Sequence, residues 1–375
     1  MKNKNYLIID SSENNSDLYY KTGFFVPDPV LFIESKGKKT LILNDLEYER
    51  GKSESKAEEV LSYTACVKIL RKKGVKNINI LDIADLVLRQ KRLKTIEVQK
   101  EFPVYFADGL RKRGYRVNVS KGSMFYPERL VKTDQEITYL KKSLKKTVEA
   151  MDLAINVVAK SNIKNKRLYY KGAALTSERV KSYINGYLAG HEFTASHTIV
   201  AGGNDSWMPH NTGSGQLYAH RPIIIDIFPK SQATGYYGDM TRTVVKGKPS
   251  SELINMYNTV LEGQKLGLKM IKNGVKARSI HKSIVEIFKI RGFKTEEING
   301  KMQGFIHSTG HGLGLDIHEP PRISLNNETL VNGNVVTVEP GLYYERLGGI
   351  RIEDSVLVTE KGCINLTRYK KEFIV

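Results

Sequence analysis

The sequence predicts a mixed α/β (α+β) protein in two domains, residues 1–131 and 132–375, and three observations carry the prediction. Short strand-like apolar runs alternate with helical patterns along the chain. The pattern changes at Thr133, and carboxylates fall within or beside several of the later strand-like runs. At 375 residues, against a usual ~150 per domain, two or three domains with sizeable cores are expected.

In the first domain Pro29 to Ile33 and Thr40 to Leu43 flank the turn Lys36-Gly37-Lys38, the pattern of a hairpin. Helical spacing follows near residues 57–73 and 104–114. Thr133-Asp134-Gln135-Glu136 then has the form of a capping box. Behind it Ile137, Leu140, Leu144, Val148, Met151 and Ile155 recur every three or four residues, so a long amphipathic helix opens the second domain. Further helices are predicted near 177–189, 251–272 and 279–291, the last two separated by the stop signal Asn273-Gly274. Strands are predicted at Pro222 to Phe228, Thr241 to Val245, Val335 to Val338 and Ile350 to Val358. There is no short repeat and no low-complexity stretch, which sets solenoids and linkers aside.

Bulk properties exclude several classes. No apolar run approaches the ~20 residues that span a bilayer, and Tyr6-Leu7-Ile8-Ile9 before Asp10 is too short for a signal-peptide core. Cys66 and Cys363, far apart, make no disulfide framework or zinc knuckle, so the cytoplasm is the expected compartment. A net charge of +19 invites a nucleic-acid reading. The excess is spread, however, with 25 basic against 17 acidic residues in 1–131 and 34 against 23 in 132–375. Lys141, Lys142, Lys145 and Lys146 read as the solvated face of the long helix, and nucleic acid is not the expected partner.

The informative oddity is four acids. Asp226 interrupts Ile223-Ile224-Ile225-Asp226-Ile227-Phe228, otherwise a buried strand, where an unpaired carboxylate is costly. Asp239 shares a strand face with Thr241 and Thr243, Glu339 lies one face with Val335 and Thr337, and Glu353 shares a face with Arg351. Taken singly, each acid is satisfied by a buried ion pair or a capped turn. Together with histidines, they also suit a divalent metal. Three of the eight histidines, His307, His311 and His318, fall within twelve residues. Gly310, Gly312 and Gly314 among them speak against a helical zinc-protease pair and for a closely approached backbone.

In this order and context Asp226, Asp239, His311, Glu339 and Glu353 resemble the five metal ligands of the pita-bread metallopeptidases, which include Xaa-Pro aminopeptidases, prolidases and methionyl aminopeptidases, with creatinase as a metal-free relative. The resemblance is carried by Gly238-Asp239-Met240-Thr241-Arg242-Thr243, by Gly310-His311-Gly312-Leu313-Gly314-Leu315-Asp316-Ile317-His318-Glu319, by Val338-Glu339-Pro340-Gly341-Leu342-Tyr343 and by Gly349-Ile350-Arg351-Ile352-Glu353-Asp354. It covers residues 132–375 and implies a pita-bread catalytic domain there; residues 1–131 resemble the creatinase-like amino-terminal domain in length and strand-helix alternation.

The resemblance implies two divalent ions, manganese by preference, with cobalt, iron or zinc as substitutes, because the ligands are hard and oxygen-rich. Asp239 and Glu353 would bridge them, Asp226 would complete one site, and His311 with Glu339 the other. Such a pair makes hydroxide available for attack on a peptide carbonyl. By the same resemblance His307 and His318 line the substrate side and donate hydrogen bonds to the carbonyl oxygen or the leaving nitrogen. His210, in Trp207-Met208-Pro209-His210-Asn211, binds substrate or shuttles protons, and Glu339 doubles as proton carrier. Arg351 orients ligands or meets a substrate carboxylate, unless a salt bridge to Asp354 or Glu353 accounts for it. One departure is that Asp226-Ile227-Phe228-Pro229 begins a longer connection, through Lys230 to Gly235, than the family's usual x-Gly, implying a different pocket wall.

The separate amino-terminal domain and Gly314-Leu315-Asp316-Ile317-His318-Glu319 favour the Xaa-Pro aminopeptidase and prolidase branch. The expected activity is removal of an amino-terminal residue that precedes proline, with prolidase, acting on Xaa-Pro dipeptides alone, as the alternative. A homodimer is the implied assembly. A metal-free pita-bread module that binds nucleic acid or protein is the reading from another class, and the presence of all five ligands disfavours it.

Overall fold

Along the strand Asn5–Asp10, Leu7 and Ile9 point to one face and Ile8 to the other, and all three are buried. A strand apolar on both faces needs cover on both. Helices Tyr63–Lys72, Ile80–Gln90 and Val104–Lys112 cover the Leu7 face, where Leu70, Leu81 and Leu110 join Leu31, Ile33 and Ile42. On the opposite face Leu18, from helix Ser16–Thr22, and Phe24 pack with Ile8, Phe32, Leu41 and Leu43. The sheet so covered has six strands in the order Glu59–Ser62, Lys38–Leu43, Val30–Ser35, Asn5–Asp10, Thr95–Val98, Arg116–Val119. The predicted hairpin forms its second and third strands, paired antiparallel. The helix predicted from residue 57 starts only at Tyr63, because Glu59–Ser62 is taken up as a strand parallel to Lys38–Leu43.

The computed structural model describes residues 4–375 and divides at Pro127, the second unit being Glu128–Val375. The second unit's first helix, Asp134–Ala159, begins where predicted: Thr133 accepts from the Glu136 amide and the Glu136 carboxylate accepts from the Thr133 amide. This helix and Ser177–Ala189 bury Ala154, Val158, Val180 and Ile184 against Ile223, Ile225 and Ile227 of a three-stranded antiparallel sheet, Ile199–Gly202, Ile223–Ile227 and Met240–Val244. A second helix pair, Ser251–Met270 and Ala277–Ile290, packs Val260, Ile280 and Ile284 on Val336, Val338 and Val356 of a five-stranded sheet. That sheet runs Glu319–Ile323, Gly310–Gly312, Val335–Val338, Asp354–Val358, Cys363–Asn365. Two sheet-and-helix-pair halves therefore build the unit.

The run predicted as one strand from Ile350 to Val358 is two. Gly348–Arg351 pairs with Gly341–Tyr344, whereas Asp354–Val358 pairs with Val335–Val338, so the chain changes partners at Ile352 and Glu353. Among the described residues no helix is long and apolar enough to cross a membrane.

Candidate active site

Sheet register explains where the acids go. Asp226 lies in a strand paired on both sides, opposite Ile199 and Thr241. Its neighbours Ile225 and Ile227 point into the helix-covered core, so Asp226 and Ile224 take the other face, where Ile224 meets Tyr343. Asp239 immediately precedes Met240–Val244, and the threonines on its face receive the segment that changes sheets. Thr241 Oγ1 donates to Glu353 Oε2 at 2.7 Å, the Glu353 amide donates to the Thr241 carbonyl at 3.1 Å, and Thr243 Oγ1 donates to the Arg351 carbonyl at 2.9 Å. Glu339 directly follows Val335–Val338.

His311 sits mid-strand, its amide donating to Thr337 Oγ1 at 3.1 Å. The adjacent Gly310 is there for space, since a Cβ would lie 1.9 Å from the Thr337 carbonyl oxygen. Gly310→Ala is therefore expected to push the His311 strand off its neighbour and to cost about 3 kcal/mol or more, the upper end for overpacking. Thermal melting and calorimetric Mn²⁺ titration check it, both expected to fall together.

The structure brings the expected ligand set into one buried neighbourhood. Asp239, His311 and Glu353 present atoms that all lie within 4.8 Å of one another. His311 Nε2 stands 3.6 Å from Asp239 Oδ2 and 3.4 Å from Glu339 Oε1. Burial, followed by repulsion from Glu353, Asp226 and Glu339, drives the Asp239 carboxyl well above the ordinary range. Burial and then Glu339 and Asp226 do the same to Glu353. Glu339 is raised by burial, against the pull of Arg351, to about 7, and burial holds His311 down at about 3. His311 is thus a neutral imidazole with a lone pair for a metal. Asp226 Oδ1 and Glu353 Oε1 are buried and have no hydrogen-bond partner among the described residues. Repelling carboxylates with unpartnered oxygens are what a bound cation relieves, and the donor set is hard and oxygen-rich, so the residues fit divalent metal.

Arg351 contacts one of the expected ligands, as the ligand-orienting reading has it, and does not make the salt bridge to Asp354 or Glu353 offered as the alternative. Its partner is Asp226, at 2.7 Å, and its other donors go to Thr241 Oγ1, the Pro209 carbonyl and Tyr343 Oη. Buried and committed in this way, it orients Asp226 and has its guanidinium donors spent within the protein. His307 is committed too. Nδ1 lies 2.7 Å from the Ser308 carbonyl, which can only accept, so Nε2, 2.9 Å from Tyr343 Oη, is the acceptor. The donation to a substrate carbonyl implied for His307 is therefore corrected: both ring nitrogens are engaged within the protein. His318 and His210 are exposed, the His318 ring standing edge-on to His311 at 4.4 Å, and partial desolvation followed by Arg322 lowers the His318 pKa.

Tyr343 is the residue that sequence reasoning missed. It closes the relay Asp226, Arg351, Tyr343, His307, and burial raises its phenol to about 12, so it stays a donor. Its signal was present in Val338-Glu339-Pro340-Gly341-Leu342-Tyr343, where it ends the string that carries Glu339. Tyr343→Phe leaves Arg351 and His307 each short of a partner and is expected to cost about 1–3 kcal/mol, read as a lowered urea midpoint.

Comparison with known proteins follows the same lines. The model of metallopeptidase family M24 matches residues 138–360, and that of the creatinase/prolidase N-terminal domain matches residues 5–131. A Xaa-Pro dipeptidase of Pyrococcus furiosus is 30% identical over 360 residues, covering 96% of this chain and 92% of that protein. The structure of an X-Pro aminopeptidase from Thermotoga maritima superposes with a TM-score of 0.81 at 25% identity, covering 100% of this chain and 98% of that one. The prolidase from Pyrococcus furiosus gives 0.79 at 27% identity, covering 98% and 97%.

Proposed function

This chain belongs to metallopeptidase family M24, with a pita-bread catalytic domain behind a creatinase-like α/β amino-terminal domain, and from that premise we propose that it hydrolyses Xaa-Pro dipeptides using two divalent metal ions. The observation that carries the reading is the convergence of Asp239, His311 and Glu353 within 4.8 Å, inside a buried group of like charges. Asp226, Asp239, His311, Glu339 and Glu353 are the residues that would hold the ions. Manganese suits these donors best, with cobalt, iron or zinc as substitutes. Divalent ions held there would supply Lewis acidity, making a hydroxide nucleophile available near neutral pH.

The chain's own residues do the rest. His318 would donate to the carbonyl oxygen as charge develops, and His210, also exposed, would bind substrate or shuttle protons. Glu339, which stands 3.4 Å from His311 Nε2, would carry a proton to the leaving proline nitrogen. Arg351 holds Asp226, and His307 holds Tyr343. Substrates are small peptides with proline second, met in the cytoplasm by a homodimer.

Dipeptide specificity reverses the order in which the sequence ranks the two activities. It is supported by the Xaa-Pro dipeptidase relative matched along nearly the whole chain. The aminopeptidase reading is supported by the X-Pro aminopeptidase fold. Rates on Ala-Pro and Ala-Pro-Ala, with and without Mn²⁺, decide: at least tenfold faster turnover of the dipeptide is expected. Preference for the tripeptide would move the assignment to aminopeptidase, and no cleavage of either with Mn²⁺ would overturn both. Metal analysis of chelator-free protein is expected to find bound divalent metal; a metal-free chain whose RNA binding falls with salt would be a binding module instead.

A further inference from the structure

Next to His318 lies a buried ion cluster that the chemistry above leaves unused. We propose that Glu319, clamped between Arg129 and Lys132, is a positioning residue that holds His318 edge-on to His311 during peptide hydrolysis, a role that rests on the peptidase reading. Arg129 Nη2 lies 2.5 Å from Glu319 Oε1 and Lys132 Nζ lies 2.8 Å from Oε2, with side chains 4%, 2% and 1% exposed for Arg129, Lys132 and Glu319. Lys132 Nζ also donates to the Arg129 carbonyl, and Arg129 Nη2 reaches Asp316 Oδ2 at 2.8 Å.

The clamp grips the backbone that carries His318. Glu319 pairs with Gly312 across the strand ladder, and its Oε1 accepts from the Asp316 amide at 3.1 Å. A Cβ on Gly314 would sit 2.6 Å from Glu319 Oε2, so the loop is wrapped directly on the carboxylate. Leu313 and Gly314 are tied down by amide bonds to the Val335 and Asp316 carbonyls at 3.0 and 3.2 Å. His318 itself is exposed, and among the described residues its ring makes no hydrogen bond, so its place is set by the segment it belongs to. A buried carboxylate with two cations is a poor way to gain stability, since apolar packing would serve as well. It is a good way to fix one backbone geometry, because two opposed cations and an amide define the carboxylate plane.

Glu319→Gln keeps the shape and Lys132→Met removes one arm, so each provides a check should the other fail to fold. Both are expected to melt cooperatively and to bind Mn²⁺ within threefold of wild type by calorimetry, yet to lose tenfold or more in kcat on a Xaa-Pro dipeptide with KM changed less than threefold. The histidine-ring NMR signal of His318 is expected to shift in Glu319→Gln while that of His191 stays put. Glu319→Gln added to His318→Ala should cost less than a further twofold, since both act at one point. Full additivity in that cycle, an unchanged kcat in folded Glu319→Gln, an unmoved His318 signal, or Mn²⁺ affinity lost with the clamp would each overturn the proposal. A wild-type chain that cuts no Xaa-Pro peptide while its His318 signal still answers to Glu319→Gln would sink the peptidase reading and the catalytic part of this one with it.

Discussion

Glu353→Gln is expected to reduce turnover of Xaa-Pro peptides by roughly a thousandfold or more, because it removes a charge from a carboxylate proposed to hold the metals. Metal assistance contributes several kcal/mol to such reactions, and ~4 kcal/mol is a factor of about a thousand. A second consequence separates this from misfolding. Burial and repulsion from Glu339 and Asp226 hold the Glu353 carboxyl well above its ordinary range, so the neutral amide removes unfavourable charge. Without metal the variant should melt no lower than wild type, whereas the rise in Tm that Mn²⁺ gives wild type should vanish. A variant of undiminished turnover would count against the proposed centre.

Asp354→Ala carries the largest expected loss of stability. Asp354 is wholly buried and accepts from Arg242, Gln264, Asn365 and Lys371, while Arg242 spends its remaining donors on the carbonyls of Thr241, Glu353, Tyr369 and Lys370. Truncation takes the carboxylate from buried Arg242 and Gln264 and from the half-buried Lys371 and Asn365, and removing one partner of such a buried pair costs about 3–5 kcal/mol. For a unit of this size that is a fall in Tm of roughly 6–20 °C. Because the cluster binds the strand after Glu353 to the last turn of chain, metal affinity should drop as well. Burial raises the Asp354 carboxyl, but Arg242 and Lys371 outweigh it and its pKa is lowered. A depressed pKa stabilises the fold above the unfolded value, ~3.9, and that contribution is lost as pH falls through the folded value. Acid below about pH 4 should therefore narrow the gap in Tm between wild type and Asp354→Ala.

Which features could be read before folding follows from their range. The capping box at Thr133 is a three-residue bond pattern, and the structure holds it as written. The period-two face of Asp239, Thr241 and Thr243 is equally local, and it is the face on which Glu353 and Arg351 land. Reading Ile350 to Val358 as one strand failed because nothing in that run marks the change of partner at Glu353. The helix assigned from residue 57 failed because Glu59–Ser62 becomes strand only where Lys38–Leu43 offers an edge. The partner of Arg351 was missed for the same kind of reason: Asp226 is 125 positions away.

By itself the sequence determined the two-part α/β architecture, the turns and caps that space its elements, and the chemical character of the centre, because periodicity and misplaced carboxylates are properties of neighbouring residues. Tertiary structure alone decided which donors are already spent. His307 and Arg351 are identifiable as polar residues in suggestive strings, but hydrogen-bond saturation depends on atoms brought together from distant strands, and only the packed sheets show that Tyr343 occupies one and Asp226 the other.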